Sequence, residues 1–296
     1  MNRRALEVLL WVVAVVLMLA AATYQRRTGP TYPVSGSFDV AGQTHEYELI
    51  RSAYTTRDAR ISVPNPGRGV AGTLHYKRFR TSDEFAAVPM HAEQSELVGE
   101  LPAQPPAGKL EYFVTLQLPN GGIRIPDASH GNVVMRFKDH VPIYFLLPHV
   151  LMMFLSMLIG LRAGLAALFA PGPMRKLAWV TLAGMTVGGM VLGPIAQKYA
   201  FGAFWTGFPF GYDLTDNKVL IMWLLWVVAG VTLWFRIRED VRLPRHAVVV
   251  AALATIVVYV IPHSAQGSEL DYEALDRGIP AEEAIRTGRQ PEDGPP

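Results

Sequence analysis

Hydrophobic positions in this chain are clustered, and the clusters come in two patterns. The first is the long apolar run. VLLWVVAVVLMLAAA (8–22) is followed, after a long polar stretch, by VPIYFLLPHVLMMFLSMLIGL (141–161), LAWVTLAGMTVGGMVLGPIA (177–196), VLIMWLLWVVAGVTLWF (219–235) and AVVVAALATIVVYVI (247–261). A helix that crosses a bilayer needs about 20 apolar residues, within a range of roughly 17–25. The runs at 141–161 and 177–196 meet that length, and 219–235 is at its short limit. The last run reaches it when Arg245, His246 and Pro262 lie in the headgroup zone. The first run has two readings. Ala20-x-Ala22 resembles a signal-peptide cleavage site, whereas Arg26 and Arg27 just beyond it favour a retained signal anchor.

The second pattern is alternation. Between the first two runs, VSGSFDV, THEYELI, ARISV, GTLHYKRF, KLEYFVTLQL and NVVMRF mix polar positions with β-branched and aromatic ones, and PNPGRG, LPAQPPAGK and LPNGG punctuate them. Alternation of period two, bounded by proline and glycine, predicts half-buried strands. Several short strands at this spacing predict an all-β sandwich. The expected molecule is therefore an α+β membrane protein. A signal anchor or signal peptide covers 1–29, an extracytoplasmic β-sandwich 30–140 and a four-helix transmembrane bundle 141–263. A polar, largely disordered extracytoplasmic tail covers 264–296, with one short helix near Ala281–Thr287.

The passage SELVGELPAQPPAGKLEYFVTLQ resembles the strand–corner–strand of immunoglobulin-like and fibronectin type III domains, with Tyr112 at the place of their corner tyrosine. That resemblance implies a fold and no activity. The membrane half, with FWTGFPFGYDLTDNK and IPHSAQGSE, is similar to uncharacterised bacterial integral membrane proteins. This implies a bacterial inner membrane and again no activity.

Charge orients the helices. Arg3 and Arg4, then Arg175 and Lys176, then Arg236, Arg238, Arg242 and Arg245 fall on one side of a five-span arrangement, which makes that side cytoplasmic. Residues 30–140, the loop 198–218 and the C-terminus then lie outside. Arg162 is an intramembrane cation, expected to snorkel or to pair with Glu239 or Asp240.

Net charge is +2, too small for a basic field, so nucleic acid is not an expected partner. The chain lacks cysteine, which excludes disulfides and thiolate metal sites. It contains no P-loop, dinucleotide fingerprint or metalloprotease helix motif. Gly160-x-x-x-Gly164, Gly184-x-x-x-Gly188 and Gly189-x-x-x-Gly193 predict close helix packing, within one chain or in a homo-oligomer. Ser156, Thr181, Thr186 and Thr232 are the main hydroxyls of the runs, and such groups usually bond their own helix.

Candidate chemistry gathers at the outer helix ends. His149, His263, Asp213, Asp216, Asn217 and Glu269 are all predicted at one membrane face, with Ser264 and Asp271 nearby. His149 and His263 are the candidate ligands for a metal or haem, and a histidine–carboxylate pair suits a quinone. His149, Met153 and Met157, four apart, suit copper(I). The competing expectation is a hydrogen-bonded collar that closes the helix ends. Overall the sequence favours a non-enzymatic multi-pass protein. Its extracytoplasmic domain would bind or dock a protein, and its other partner is the bilayer. The alternative is a membrane redox or cofactor-binding protein, and the third is a transporter. No cofactor is named by the sequence.

Overall fold

The computed structural model describes residues 2–67, 69–119, 121–235, 242–262 and 267–286. The chain forms two compact units. A helical unit comprises the residues up to Gly29 and Val141–Gly267, and a strand-rich unit comprises Pro30–His140 and Ser268–Arg286.

In the helical unit, α1 spans Arg3–Thr28, α2 Ile143–Phe169, α5 Leu214–Phe235 and α6 Arg242–Val260. Between α2 and α5 runs one continuous helix, Met174–Phe201. It consists of α3 (Met174–Met185), a π-helical segment (Thr186–Leu192) and α4 (Gly193–Phe201). All five helices are long and apolar enough to cross a membrane. Each apolar run of the sequence lies in one of them. Their outward positions stay apolar, as at Val16, Leu155, Val228 and Val257, which suits lipid as the surrounding medium.

The small residues set how closely the helices approach. A methyl group on Gly164 would lie 2.4 Å from the Ala252 Cβ of α6, and one on Gly160 would lie 2.9 Å from the Trp226 ring of α5. Gly184 and Gly188 meet Ser156 and Met152 of α2 in the same way. These glycine faces are thus used between helices of one chain. Hydroxyls stay internal too. Ser156, Thr181, Thr186 and Thr232 each donate to a carbonyl of their own helix, at 2.6–2.9 Å. Thr186 also accepts from the Trp223 indole, and Thr255 from that of Trp226.

Arg162 is completely buried. Its guanidinium donates to Glu7 of α1 and lies 5.6 Å from the Trp11 ring. The sequence instead suggests Glu239 or Asp240 as partners, and both lie outside the described residues. Glu7 is the acid beside the first apolar run, and it holds α1 to α2. Ala14, Met157 and Leu161 complete that seam.

In the strand-rich unit, β1 (Val34–Val40) and β2 (Gln43–Leu49) form a hairpin. A six-stranded sheet runs β3 (Ser52–Tyr54), β11 (Val133–Lys138), β9 (Lys109–Leu118), β5 (Ala71–Arg78) and β6 (Ala86–Pro89), with β10 (Gly121–Ile125) also on β9. A second sheet runs β4 (Ala59–Pro64), β8 (Glu96–Leu101), β7 (His91–Glu93). Both sheets and the hairpin share one core, with Leu49, Ile61, Leu74, Leu101, Val114 and Phe137 among its members. Alternation along β9 puts Leu110, Tyr112, Val114 and Leu116 inward. The Tyr112 hydroxyl donates to the Ile50 carbonyl at 2.7 Å, a partner 62 positions away. A corner tyrosine bonds backbone only a few residues upstream, so this bond ties two distant segments instead.

The segment Ser268–Arg286 differs most from expectation. Rather than trailing off, it folds as β12 (Glu269–Leu270), the short α7 (Tyr272–Asp276) and β13 (Ile285–Arg286), and joins the strand-rich unit. Leu270, Tyr272, Ala274 and Ala284 form a small apolar cluster of their own. The helix lies earlier than Ala281–Thr287 because Asp271 caps it, accepting from the Glu273 and Ala274 N–H groups.

Candidate functional site

The loop quoted from the sequence, 204–218, builds the polar end of the helical unit. Asp213 is the N-cap of α5. Its Oδ1 accepts from the Thr215 N–H at 2.8 Å and the Asp216 N–H at 3.4 Å. Asp216, on the first turn, accepts from the Thr206 N–H at 2.6 Å, while the Asp213 N–H donates back to the Thr206 carbonyl at 3.0 Å. The Thr206 hydroxyl lies 3.1 Å from Asp213 Oδ2 and 3.2 Å from Asp216 Oδ2, and Gln197 of α4 donates to it at 2.6 Å. Asn217 accepts from the Phe208 N–H at 2.7 Å. Gly207 permits this fold-back, because a Cβ there would come within 2.6 Å of the Asp216 Cβ. Both aspartates are buried, with Thr206 between them, and carboxylates at a helix N-terminus are favoured by the helix dipole.

Lys218, buried one step along α5, donates to the Ile261 and Pro262 carbonyls, where the last turn of α6 ends. An ammonium there satisfies C-terminal carbonyls and complements the dipole. Gln25 of α1 donates to the Tyr259 carbonyl at 3.0 Å. Helices α1, α4, α5 and α6 are thus closed at this end by side chains that bond each other's termini. Around them Phe204, Phe208, Phe210 and Tyr212 stay exposed.

His149 lies on α2, beside the π-helical segment. Its Nδ1 is 2.8 Å from the Gly188 carbonyl, the same carbonyl that accepts the wide-turn bond from the Gly193 N–H. A carbonyl only accepts, so Nδ1 carries the proton, and Nε2 is the acceptor nitrogen of the neutral ring. The wide turn has a local cause. Pro194 brings no N–H and crowds the carbonyl four residues back, and the π segment immediately precedes it. Met153 lies against Gly189, whereas Met157 is buried in the α1 seam, so the methionine stripe divides between two neighbours.

Of the sequence-predicted site residues, Asp213, Asp216 and Asn217 come together at the start of α5. His149 is held separately by the π segment. His263 and Ser264 lie outside the described residues. Glu269 belongs to the strand-rich unit, where it pairs with Lys109 at 2.5 Å, and Asp271 caps α7 there. Among the described residues, no group of three or more histidines and carboxylates is placed to hold a metal ion.

A second candidate lies on the outer face of the six-stranded sheet. Phe113 points outward between the buried Tyr112 and Val114. His75 stacks on its ring at 4.6 Å, the Arg124 guanidinium lies 4.3 Å from its centre, and Phe85 meets it edge-on. His75 Nε2 is 2.9 Å from Thr115 Oγ1, and Arg124 donates to Asn132, which donates to Glu111. Burial, reinforced by the Arg124 charge, holds the His75 imidazole below its ordinary value. Sequence reasoning named the strand and passed over this face; an outward phenylalanine on a strongly alternating strand was the signal.

Compared with known proteins, the chain matches no family model, no curated protein and no solved structure.

Proposed function

We propose that this is a non-enzymatic multi-pass membrane protein that docks a protein partner through the outer face of its strand-rich unit. The observation that carries the reading is the contrast between the two polar sites. In the helical unit, Asp213, Asp216, Thr206, Gln197 and Lys218 spend their polar atoms on one another and on helix ends, which is the work of a collar. On the strand-rich unit, Phe113, His75, Arg124 and Phe85 form an ordered aromatic and cationic surface, of the residue types that anchor interfaces.

Connectivity supports the sidedness. The chain enters the strand-rich unit after α1, leaves it into α2, and returns after α6. These three helix ends therefore share one membrane face. Arg3, Arg4, Arg175 and Lys176 then lie at the opposite face, which the positive-inside rule makes cytoplasmic. The strand-rich unit is extracytoplasmic, α1 is a retained anchor held by Glu7, and the other helices form a four-helix bundle in the plasma membrane.

A photo-crosslinking amino acid at Gln117 of the full-length protein in its native membrane tests the docking face. The expected result is a discrete adduct that Phe113→Ala removes and His149→Ala leaves. No adduct, with loss of function confined to His149→Ala, would overturn it. A second reading, a cofactor held at the helical end, is favoured by the Nδ1–H bond that fixes His149 with Nε2 as an acceptor, as ligating histidines usually are. Metal analysis and a visible spectrum of the purified protein, compared with His149→Ala, decide it: two identical results remove it.

A further inference from the structure

We propose that the strand-rich unit carries a peptide slot, occupied here by the chain's own Ser268–Arg286, whose exchangeable ligand is an acidic, tyrosine-bearing peptide of another protein. The inference rests on the docking reading above and concerns a different face of that unit. The strands supply cations. Lys109 and Arg136 are buried, and Arg78 and Arg80 stand beside them. The segment supplies acids. Glu269 meets Lys109 at 2.5 Å and Arg80 at 3.4 Å, and Asp276 meets Arg78 at 2.7 Å. Buried cations need a carboxylate, and for Lys109 the segment brings it.

Between the acids lies a phenol site. The Tyr272 hydroxyl accepts from the Lys109 N–H at 3.0 Å and has two acceptors in reach, the Lys109 carbonyl at 3.0 Å and Gln104 Oε1 at 3.1 Å. Arg78 lies 5.2 Å from its ring. Gly108 forms part of the wall, since a Cβ there would be 3.2 Å from the hydroxyl. The backbone of the segment joins in as well: the Leu270 N–H donates to the Ala107 carbonyl, and the Arg136 side chain donates to the Ser268 carbonyl. The two strands of the segment pair with each other rather than with a sheet, and its apolar cluster is separate from the main core. It is docked, not woven in. What it presents to the strands in order (Glu269, Tyr272, Asp276) defines the ligand: acid, tyrosine, acid.

The test uses the full-length protein with a protease site inserted after Gly267. Once cut, it is titrated with a fluorescent peptide of sequence 267–286. The expected result is saturable uptake that about 0.5 M salt weakens. Uptake should be weakened about tenfold or more by Glu269→Gln with Asp276→Asn in the peptide, and about fivefold by Tyr272→Phe. A cut protein that stays folded and takes up no peptide overturns the proposal. So does a strand-rich unit that loses its near-UV circular dichroism on cutting. Hydrogen exchange on uncut Lys109→Gln gives an independent reading. The Leu270 and Asp271 amides should exchange faster while Val114 and Leu116 stay protected, and joint loss of protection would make the segment part of the core. Exchange of the segment between two differently tagged copies would make a second copy the occupant and overturn the assignment to another protein. An adduct from Gln117 without peptide uptake removes this inference and keeps the docking reading.

Discussion

Each unit buries a cation, and in each case the answering carboxylate comes from far along the chain. Arg162 meets Glu7 across 155 positions, and Lys109 meets Glu269 across 160. The surroundings differ. The Arg162 side chain is 1% exposed, in a seam of apolar side chains and the Trp11 ring, while its Glu7 partner is 31% exposed, and the Arg162 Nε and Nη1 have no hydrogen-bond partner among the described residues. Lys109 sits at the margin of its unit with a Glu269 that is one-fifth exposed, close to Arg80 and Arg136. Burial, and then the Arg136 charge, hold its ammonium below the ordinary lysine value. The cation of the first pair is sealed among apolar side chains, whereas in the second both groups are partly open and two more cations crowd the site, so salt weakens it more. The first fixes a helix, and the second closes a contact that solution conditions can loosen.

The strongest test of that contrast is Glu7→Gln. Leaving Arg162 buried without its carboxylate is expected to cost about 3–5 kcal/mol, read as a lower unfolding temperature in detergent. Adding Arg162→Met should recover most of the loss, because a hydrophobic replacement removes the stranded charge. Full recovery failing in the double variant would mean the pair does more than hold α1. Next, Glu269→Gln should cost about 1–3 kcal/mol, and the loss should shrink in high salt more than that of Glu7→Gln does. Equal salt dependence for both would erase the distinction.

Acid gives a smaller effect. Arg78 holds the carboxyls of Asp83 and Asp276 below the ordinary aspartate value through direct hydrogen bonds. Their contribution is complete above the ordinary value and is lost as pH falls through the depressed ones. Exchange at the Leu270 amide should therefore rise in acid before that of β9. The least effect is expected from His75. Its lowered value means that the unfolded chain binds the proton first, so stability rises with pH across the histidine range. His75→Gln should flatten that slope in a melting series.

The long elements were legible because their signals are repetitive. Each apolar run lies in a membrane-length helix, and each of the alternating stretches became a strand, from VSGSFDV at β1 to NVVMRF at β11. The short strands β3, β6 and β7 carry too few residues to show a period, and β6 and β7 each pair with a single neighbour. The segment 268–286 was hidden by its composition. It is polar because it binds cations, and polarity reads like a solvated end. At the candidate site, Asp213 as a cap could be read from its place before an apolar run, whereas Thr206 could not, since its role depends on a fold-back around Gly207. Glu7 was readable as an acid bordering a membrane helix, which demands a partner, but spacing does not say which one.

The wide turn at Thr186–Leu192 has one more implication, for chain length. A π turn holds more residues than an α turn, so α4 is out of phase with α3. Removing a single residue there would let the helix regularise and leave α4 facing nearly as it does now, because the wide turn is where the extra residue is absorbed. Gln197 would then keep Thr206, whereas the Gly188 carbonyl would return to an ordinary α bond and lose its place beside His149. In this stretch a deletion should therefore separate the two contacts, sparing the loop and releasing the imidazole.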